Sequence, residues 1–240
     1  MLLKMMANLE IKRKELKYYL SYKEYVMLSN LLKKFLCRDK HNQASLGGYR
    51  IRSLYFDTPD NKSFEDKMAG IEDRAKYRLR VYDIESKWVK FEVKIKNNET
   101  ITKETAVISR EDAEQIQAKN YDIMLKYKNQ ALNKAYTEFK QGLYCPVALI
   151  DYLREAFTYD ANNIRIVFDR FLKSSTTHLN LFSHDPSLVL QLPKGIVVME
   201  IKYDGFIPDW IRKIIQVRSF ERSAVSKYCI GRLDRFETIF

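Results

Sequence analysis

Residues 73–83 read Asp73-Arg74-Ala75-Lys76-Tyr77-Arg78-Leu79-Arg80-Val81-Tyr82-Asp83, with Arg74, Lys76, Arg78 and Arg80 at alternate positions. Successive side chains of a β-strand point to opposite faces. The four cations therefore share one face, and Ala75, Tyr77, Leu79 and Val81 share the other. A second run follows, in which Lys90, Glu92, Lys94 and Lys96 alternate with Val89, Phe91, Val93 and Ile95. The apolar faces are core-facing sets. The charged faces bring many cations onto one surface, and such a surface needs a polyanion.

Outward from this pair, strands are predicted over 10–20, 49–57, 101–108, 146–157, 163–172, 187–191 and 195–203. The three strands from 73 to 108 have the spacing of an antiparallel meander. Ser21 caps a helix, with Glu24 completing a capping box, and Leu28, Leu31, Leu32, Phe35 and Leu36 form its apolar stripe. A short helix over 60–69 stops at Gly70, Ser109 caps another, and 121–141 reads as one longer helix. Pro208 opens a helix holding Trp210, Ile211, Ile214 and Ile215, and Ser223 opens the last, to Phe240. The class is α+β and mostly antiparallel, built on a large sheet or barrel. An open sheet would turn the charged faces to bulk water. A closed barrel of about eight strands would turn them inward, leave its apolar outside to the helices, and have room for one small ligand. If it closes, the interior is a phosphate tunnel.

The bulk numbers agree with an anionic partner. In 240 residues, 42 basic against 31 acidic side chains give a net charge of +11, and the pI is near 9.4. No repeat, linker or composition break divides the chain, so 1–240 is expected to be one domain. Cys37, Cys145 and Cys229 form no CxxC pair or Cys/His cluster, which supports neither a disulfide framework nor a zinc site and fits buried free thiols in a reducing cytoplasm. Residues 1–9, interrupted by Lys4 and Asn8, are too short for a signal peptide or membrane span and read as a flexible N-terminus. A soluble protein is expected.

Further charged residues sit at strand spacing: Arg13-x-Glu15-x-Lys17, Arg154, Arg165-x-Val167-x-Asp169 and Glu200-x-Lys202. Arg grips phosphate bidentately, Lys places a compact charge on it, and carboxylates among so many cations suit Mg2+ or Mn2+ bridging phosphates. Any one of them alone reads as a solvated or cross-strand ion pair. Repetition across several strands is what favours a binding role.

The ordered segments Tyr55-Phe56-Asp57-Thr58-Pro59, Tyr77-Arg78-Leu79-Arg80-Val81-Tyr82, Phe91-Glu92-Val93-Lys94, Ile164-Arg165-Ile166-Val167-Phe168-Asp169, Met199-Glu200-Ile201-Lys202 and Ser226-Lys227-Tyr228 resemble the polyphosphate polymerase domain of the vacuolar transporter chaperone (VTC) family. That family is a branch of the triphosphate tunnel metalloenzymes, and the resemblance runs from Glu10 to about Arg235. It implies an eight-stranded antiparallel β-barrel tunnel with helices packed outside. It also implies ATP-dependent extension of polyphosphate, with Mn2+ or Mg2+ as cofactor. By the same resemblance Arg78, Arg80, Arg165 and Lys227 hold reacting phosphates. Lys17, Lys94, Lys103, Arg154 and Ser226 hold substrate more broadly, and Glu200 binds the metal; strand spacing adds Lys202 to the substrate set, and Glu15 and Glu92 are further carboxylates for the metal.

Arg13 stands where the hydrolase branch begins Glu-x-Glu-x-Lys, which tilts the choice toward polymerase. A triphosphatase or tripolyphosphatase is the runner-up, and a non-catalytic polyphosphate-binding module follows. ATP and polyphosphate are the expected partners. Nucleic acid is not, because no recognition motif exists and the aromatics occupy core-type positions. The chain has the look of the stand-alone bacterial form: cytoplasmic, with the inner membrane face as a second place and a separate membrane partner for any export.

Overall fold

Alternating strand faces and polar caps at helix starts set the elements in the structure, a computed structural model that describes residues 13–98, 100–215 and 226–232. In chain order these begin with β1 (Arg13–Ser21), α1 (Tyr22–Phe35), β2 (Cys37–Arg38), β3 (Tyr49–Asp57) and α2 (Lys62–Met68). The meander follows as β4 (Arg74–Val81), β5 (Trp88–Asn97) and β6 (Thr100–Ser109), then α3 (Arg110–Gln117), a 3-10 turn (Tyr121–Lys126) and α4 (Gln130–Gln141). The rest comprises β7 (Cys145–Tyr159), β8 (Ile164–Ser175), β9 (Val189–Leu190), β10 (Ile196–Asp204), α5 (Asp209–Ile215) and α6 (Lys227–Ile230). Strand neighbours follow the order β1-β10-β8-β7-β3-β4-β5-β6, with β2 on β7 and β9 on β8. The α+β class with antiparallel strands is as expected.

Two compact units share the chain. One comprises 13–49, 154–170 and 195–215; the other comprises the remaining described residues. In the first unit β1 pairs antiparallel with β10, setting Glu15 opposite Lys202 and Lys17 opposite Glu200. Lys202 in turn faces Arg165 on β8. The opposite face packs on α1 and α5 through Leu20, Leu28, Leu32, Phe168, Met199 and Ile211, all buried. The capping box at the start of α1 forms as the spacing predicts: Ser21 Oγ accepts from Glu24 N–H at 3.3 Å, and Glu24 Oε2 accepts from Ser21 N–H at 2.8 Å. Phe35 departs from the expected stripe. It lies at the flank of the last turn, 57% exposed, against Trp210 with ring centroids 6.3 Å apart, while Leu36 beyond the helix end is buried.

The second unit holds the meander. Leu54, Phe56, Leu79, Phe91 and Ile108 face Ile116, Met124, Leu132 and Phe139 of α3, the 3-10 turn and α4. Each such fully buried apolar side chain contributes roughly 2 kcal/mol. The register sets Lys76, Lys94 and Lys103 directly opposite one another across β4, β5 and β6. It also sets Arg78 opposite Glu92 and Arg80 opposite Lys90.

The segment expected to form one helix over 121–141 is two. Asn129 starts α4 afresh, its side chain accepting from Ala131 N–H at 2.9 Å and Leu132 N–H at 3.3 Å. Tyr127 just before it is tied to Asp112 and to Ser109 N–H. Side-chain bonds from Asn and Tyr thus override apolar periodicity. Cys229 is buried as expected, but Cys37 is exposed and Cys145 partly so. Residues 1–12, including the expected flexible N-terminus, and the expected helix outside 226–232 lie beyond the described residues. Among the described residues no helix is long and apolar enough to cross a membrane.

Candidate functional site

The charged face of β4 and β5 is organised around Glu92, which is 2% exposed. Arg78 donates through Nε to Glu92 Oε2 at 2.6 Å and through Nη1 to the Tyr55 hydroxyl at 2.7 Å. Arg80 lies 3.5 Å from the same carboxylate, and Lys103 lies 2.5 Å from its other oxygen. Burial opposes the charge on Glu92, but Arg78, Arg80 and Lys103 outweigh it and hold the carboxyl at about 2. Tyr55 is likewise pulled below its usual value against its burial, by Arg78, Arg80 and Lys76. The strand alternation therefore places Arg78, Arg80, Lys94 and Lys103 together on one face, as expected.

Helix α6 borders this face. Its cap, Ser226, accepts from Cys229 N–H at 3.4 Å and from Lys76 Nζ at 3.1 Å. Lys227 Nζ stands over the Tyr152 ring at 5.2 Å. Lys76 also lies 3.9 Å from Cys229 Sγ and over the Tyr228 ring at 4.8 Å. Tyr228 stacks on Tyr55 at 5.2 Å and donates its hydroxyl to Asp57. Asp57 further accepts from Ser63 N–H at 2.8 Å and Phe64 N–H at 3.1 Å. It caps α2 from the end of β3, where the formal cap Asn61 makes no side-chain capping bond. Burial, then the Asp57 charge, pushes the Tyr228 phenol far above its usual range.

Lys76, Tyr55, Asp57, Tyr152 and Tyr228 were not among the site residues expected from sequence. Lys76 shares the alternation with Arg78 and Arg80 and was legible there. The tyrosines were not, because a strand tyrosine reads equally as core.

The first unit carries a second charged face of different make-up. Arg154 grips Asp169 bidentately at 2.6 and 2.7 Å and stands 4.0 Å from Glu200. Lys202 reaches Glu200 at 2.8 Å and Glu15 at 3.7 Å, while Lys17 lies 2.7 Å from Glu15. Arg165 pairs with Asp39 and donates to the Tyr49 hydroxyl at 3.0 Å. Burial raises Asp39, but a backbone bond from His41 and the Arg165 pair more than compensate and lower it.

No group of three His, Cys, Asp or Glu able to hold a metal occurs among the described residues. Glu15 and Glu200, both within reach of one ammonium, nonetheless fit the Mg2+ or Mn2+ habit of one or two carboxylates completed by phosphate oxygens and water. Glu92 differs, its two oxygens being spanned by three cations of its own unit.

A family model described as VTC domain matches residues 12–234. Three solved structures are similar over nearly their whole length. The Hippeastrum protein HpAC1, named for adenylyl cyclase and described as having a dominant triphosphatase activity, is 13% identical with a TM-score of 0.54, covering 93% of this chain and 99% of that one. A Bacillus halodurans protein provisionally named an adenylate cyclase is 13% identical with a TM-score of 0.52, covering 90% and 96%. One from Vibrio parahaemolyticus, similarly named, is 14% identical with a TM-score of 0.51, covering 92% and 97%. At these identities the likeness shows the fold, which is the tunnel fold expected. No curated protein matches in sequence.

Proposed function

Because the chain belongs to the VTC domain family, we propose that it is a polyphosphate polymerase, its whole length serving as one domain that moves the γ-phosphate of ATP onto a polyphosphate chain. The observation that carries this reading is the β4–β5 face. There Glu92, paired with Arg78, Arg80 and Lys103, stays ionised at neutral pH. A hydrolase must activate water and gains from a base. A polyphosphate terminus is already ionised and needs none.

In this reading Arg78, Arg80, Arg165 and Lys227 hold the transferring phosphates, and Lys17, Lys94, Lys103, Arg154, Lys202 and Ser226 hold the rest of the two chains. A terminal oxygen of the acceptor attacks the γ-phosphorus. The bond from that phosphorus to the β–γ bridging oxygen breaks, and its electron pair leaves on ADP. Alignment and charge neutralisation supply the rate enhancement. Glu200 and Glu15 would hold Mn2+ or Mg2+, which when bound neutralises developing phosphate charge. Glu92 serves better as counter-ion to Arg78 and Arg80.

The triphosphatase activity described for HpAC1 favours a second reading, hydrolysis of a triphosphate in the same tunnel. Incubation of the protein with ATP and Mn2+, resolving polyphosphate, ADP and free phosphate, decides between them. Polyphosphate matched by ADP supports the polymerase. Free phosphate without chains selects the hydrolase, and tight polyphosphate binding without turnover selects a binding module.

A further inference from the structure

We infer that Lys76 is a phosphate subsite for the polyphosphate chain, seated between β4 and the cap of α6, and that the chain binds there with uptake of a proton. The inference rests on the polyphosphate reading above and adds a residue and a pH dependence to it.

Geometry carries it first. Lys76 lies on the same strand face as Arg78 and Arg80 and heads a cross-strand row with Lys94 and Lys103. Like charges directly opposite one another destabilise a ladder. The next row interposes Glu92 between Arg78 and Thr105, but the lysine row interposes no carboxylate. Among the described residues Lys76 has no carboxylate partner; its contacts are the Ser226 hydroxyl, the Cys229 sulfur and the Tyr228 ring. None of these supplies a full negative charge. A phosphate oxygen does, and the Ser226 hydroxyl beside it is a second donor to the same oxygen.

The electrostatics agree. Burial lowers the Lys76 ammonium to about 8, with Lys67 of α2 and Arg74 of β4 adding to the depression. Cys229 of α6 and Tyr55 of β3 act the other way, and the remaining facing groups are Lys94 of β5 and the Tyr228 ring. A group so depressed is largely charged at pH 7 and largely neutral at pH 9. A bound polyanion favours the charged form and returns the proton, so affinity falls as pH rises through the free value. One linked proton sets the limit at about tenfold between pH 7.5 and 9.

The test is calorimetric titration of the full chain with linear polyphosphate and, separately, with ATP, at pH 7.5 and 9.0. Buffers of different ionisation enthalpy count the protons taken up. The wild-type protein is expected to bind polyphosphate about tenfold more weakly at pH 9.0 and to take up about a quarter of a proton at pH 7.5 and nearly one at pH 9.0. Lys76→Met should bind weakly at both values without that uptake. Lys76→Arg should keep its affinity at pH 9.0, because guanidinium stays charged. Met and Arg variants with wild-type affinities and pH slope for polyphosphate overturn the subsite. An effect confined to ATP overturns the assignment to the chain and moves Lys76 to the nucleotide. Failure of wild-type protein to bind polyphosphate at either pH removes the polymerase reading itself, whereas binding that ignores Lys76 removes only this inference.

Discussion

On the β4–β5–β6 face Lys76, Arg78, Arg80, Lys94 and Lys103 lie with one carboxylate, Glu92, which pairs with Arg78, Arg80 and Lys103, whereas in the first unit Lys17, Lys202, Arg154 and Arg165 meet Glu15, Glu200, Asp169 and Asp39. The first face folds with surplus positive charge. Its cations are held by aromatic rings, hydroxyls and a single over-subscribed carboxylate, an arrangement that an incoming polyanion relieves. The second folds as a balanced ion lattice, in which a divalent metal at the carboxylates would add positive charge for phosphate oxygens to offset. Surplus suits binding of a phosphate chain; balance suits a metal and precise positioning.

The comparison breaks most easily at Arg78. Alanine there removes a bidentate donor and strips Glu92 of a partner 2.6 Å away, so polyphosphate formation from ATP should drop by about a thousandfold. A fall below about tenfold would place the reacting phosphates elsewhere. On the balanced face, Glu200→Gln should lower metal-dependent turnover by about a hundredfold. The same substitution should leave metal-free polyphosphate binding equal or tighter, because one negative charge is gone. Weaker binding instead would mean Glu200 acts by folding the face.

Acid unfolding sharpens the contrast further. Glu92 is lowered from 4.5 to about 2 in the fold, so its contribution to stability is complete above its unfolded value and is lost as pH falls from about 4.5 toward 2. Glu92→Gln should therefore lower the melting temperature at pH 7 and flatten the decline across that window. An unchanged acid limb would show that the three cations do not depend on it. The smallest expected effect is Arg154→Lys, which exchanges a fork on Asp169 for a point charge and should cost about 1–2 kcal/mol in denaturant unfolding.

Much of this is legible in the sequence. The alternation in 73–83 and 89–96 predicts both the strands and their common charged face, since a period of two leaves no other arrangement. The cap at Ser21 and the strand ending at Asp57 are equally local. Phe35 and the break at Tyr127–Asn129 were not legible. The one depends on where a helix ends, the other on Asp112 fifteen residues before Tyr127 in sequence. Nor did any spacing connect Tyr228 to Asp57, or Lys76 to Ser226, pairs separated by 171 and 150 positions.

What the sequence alone determined is the inventory: which strands carry cations and which faces are apolar. Tertiary structure decided the balance of each face. Cross-strand register chose whether a lysine meets a glutamate, as Lys17 meets Glu200, or another lysine, as Lys76 meets Lys94. Register is set by long-range pairing and core packing, so the charge that a face presents becomes a property of the fold.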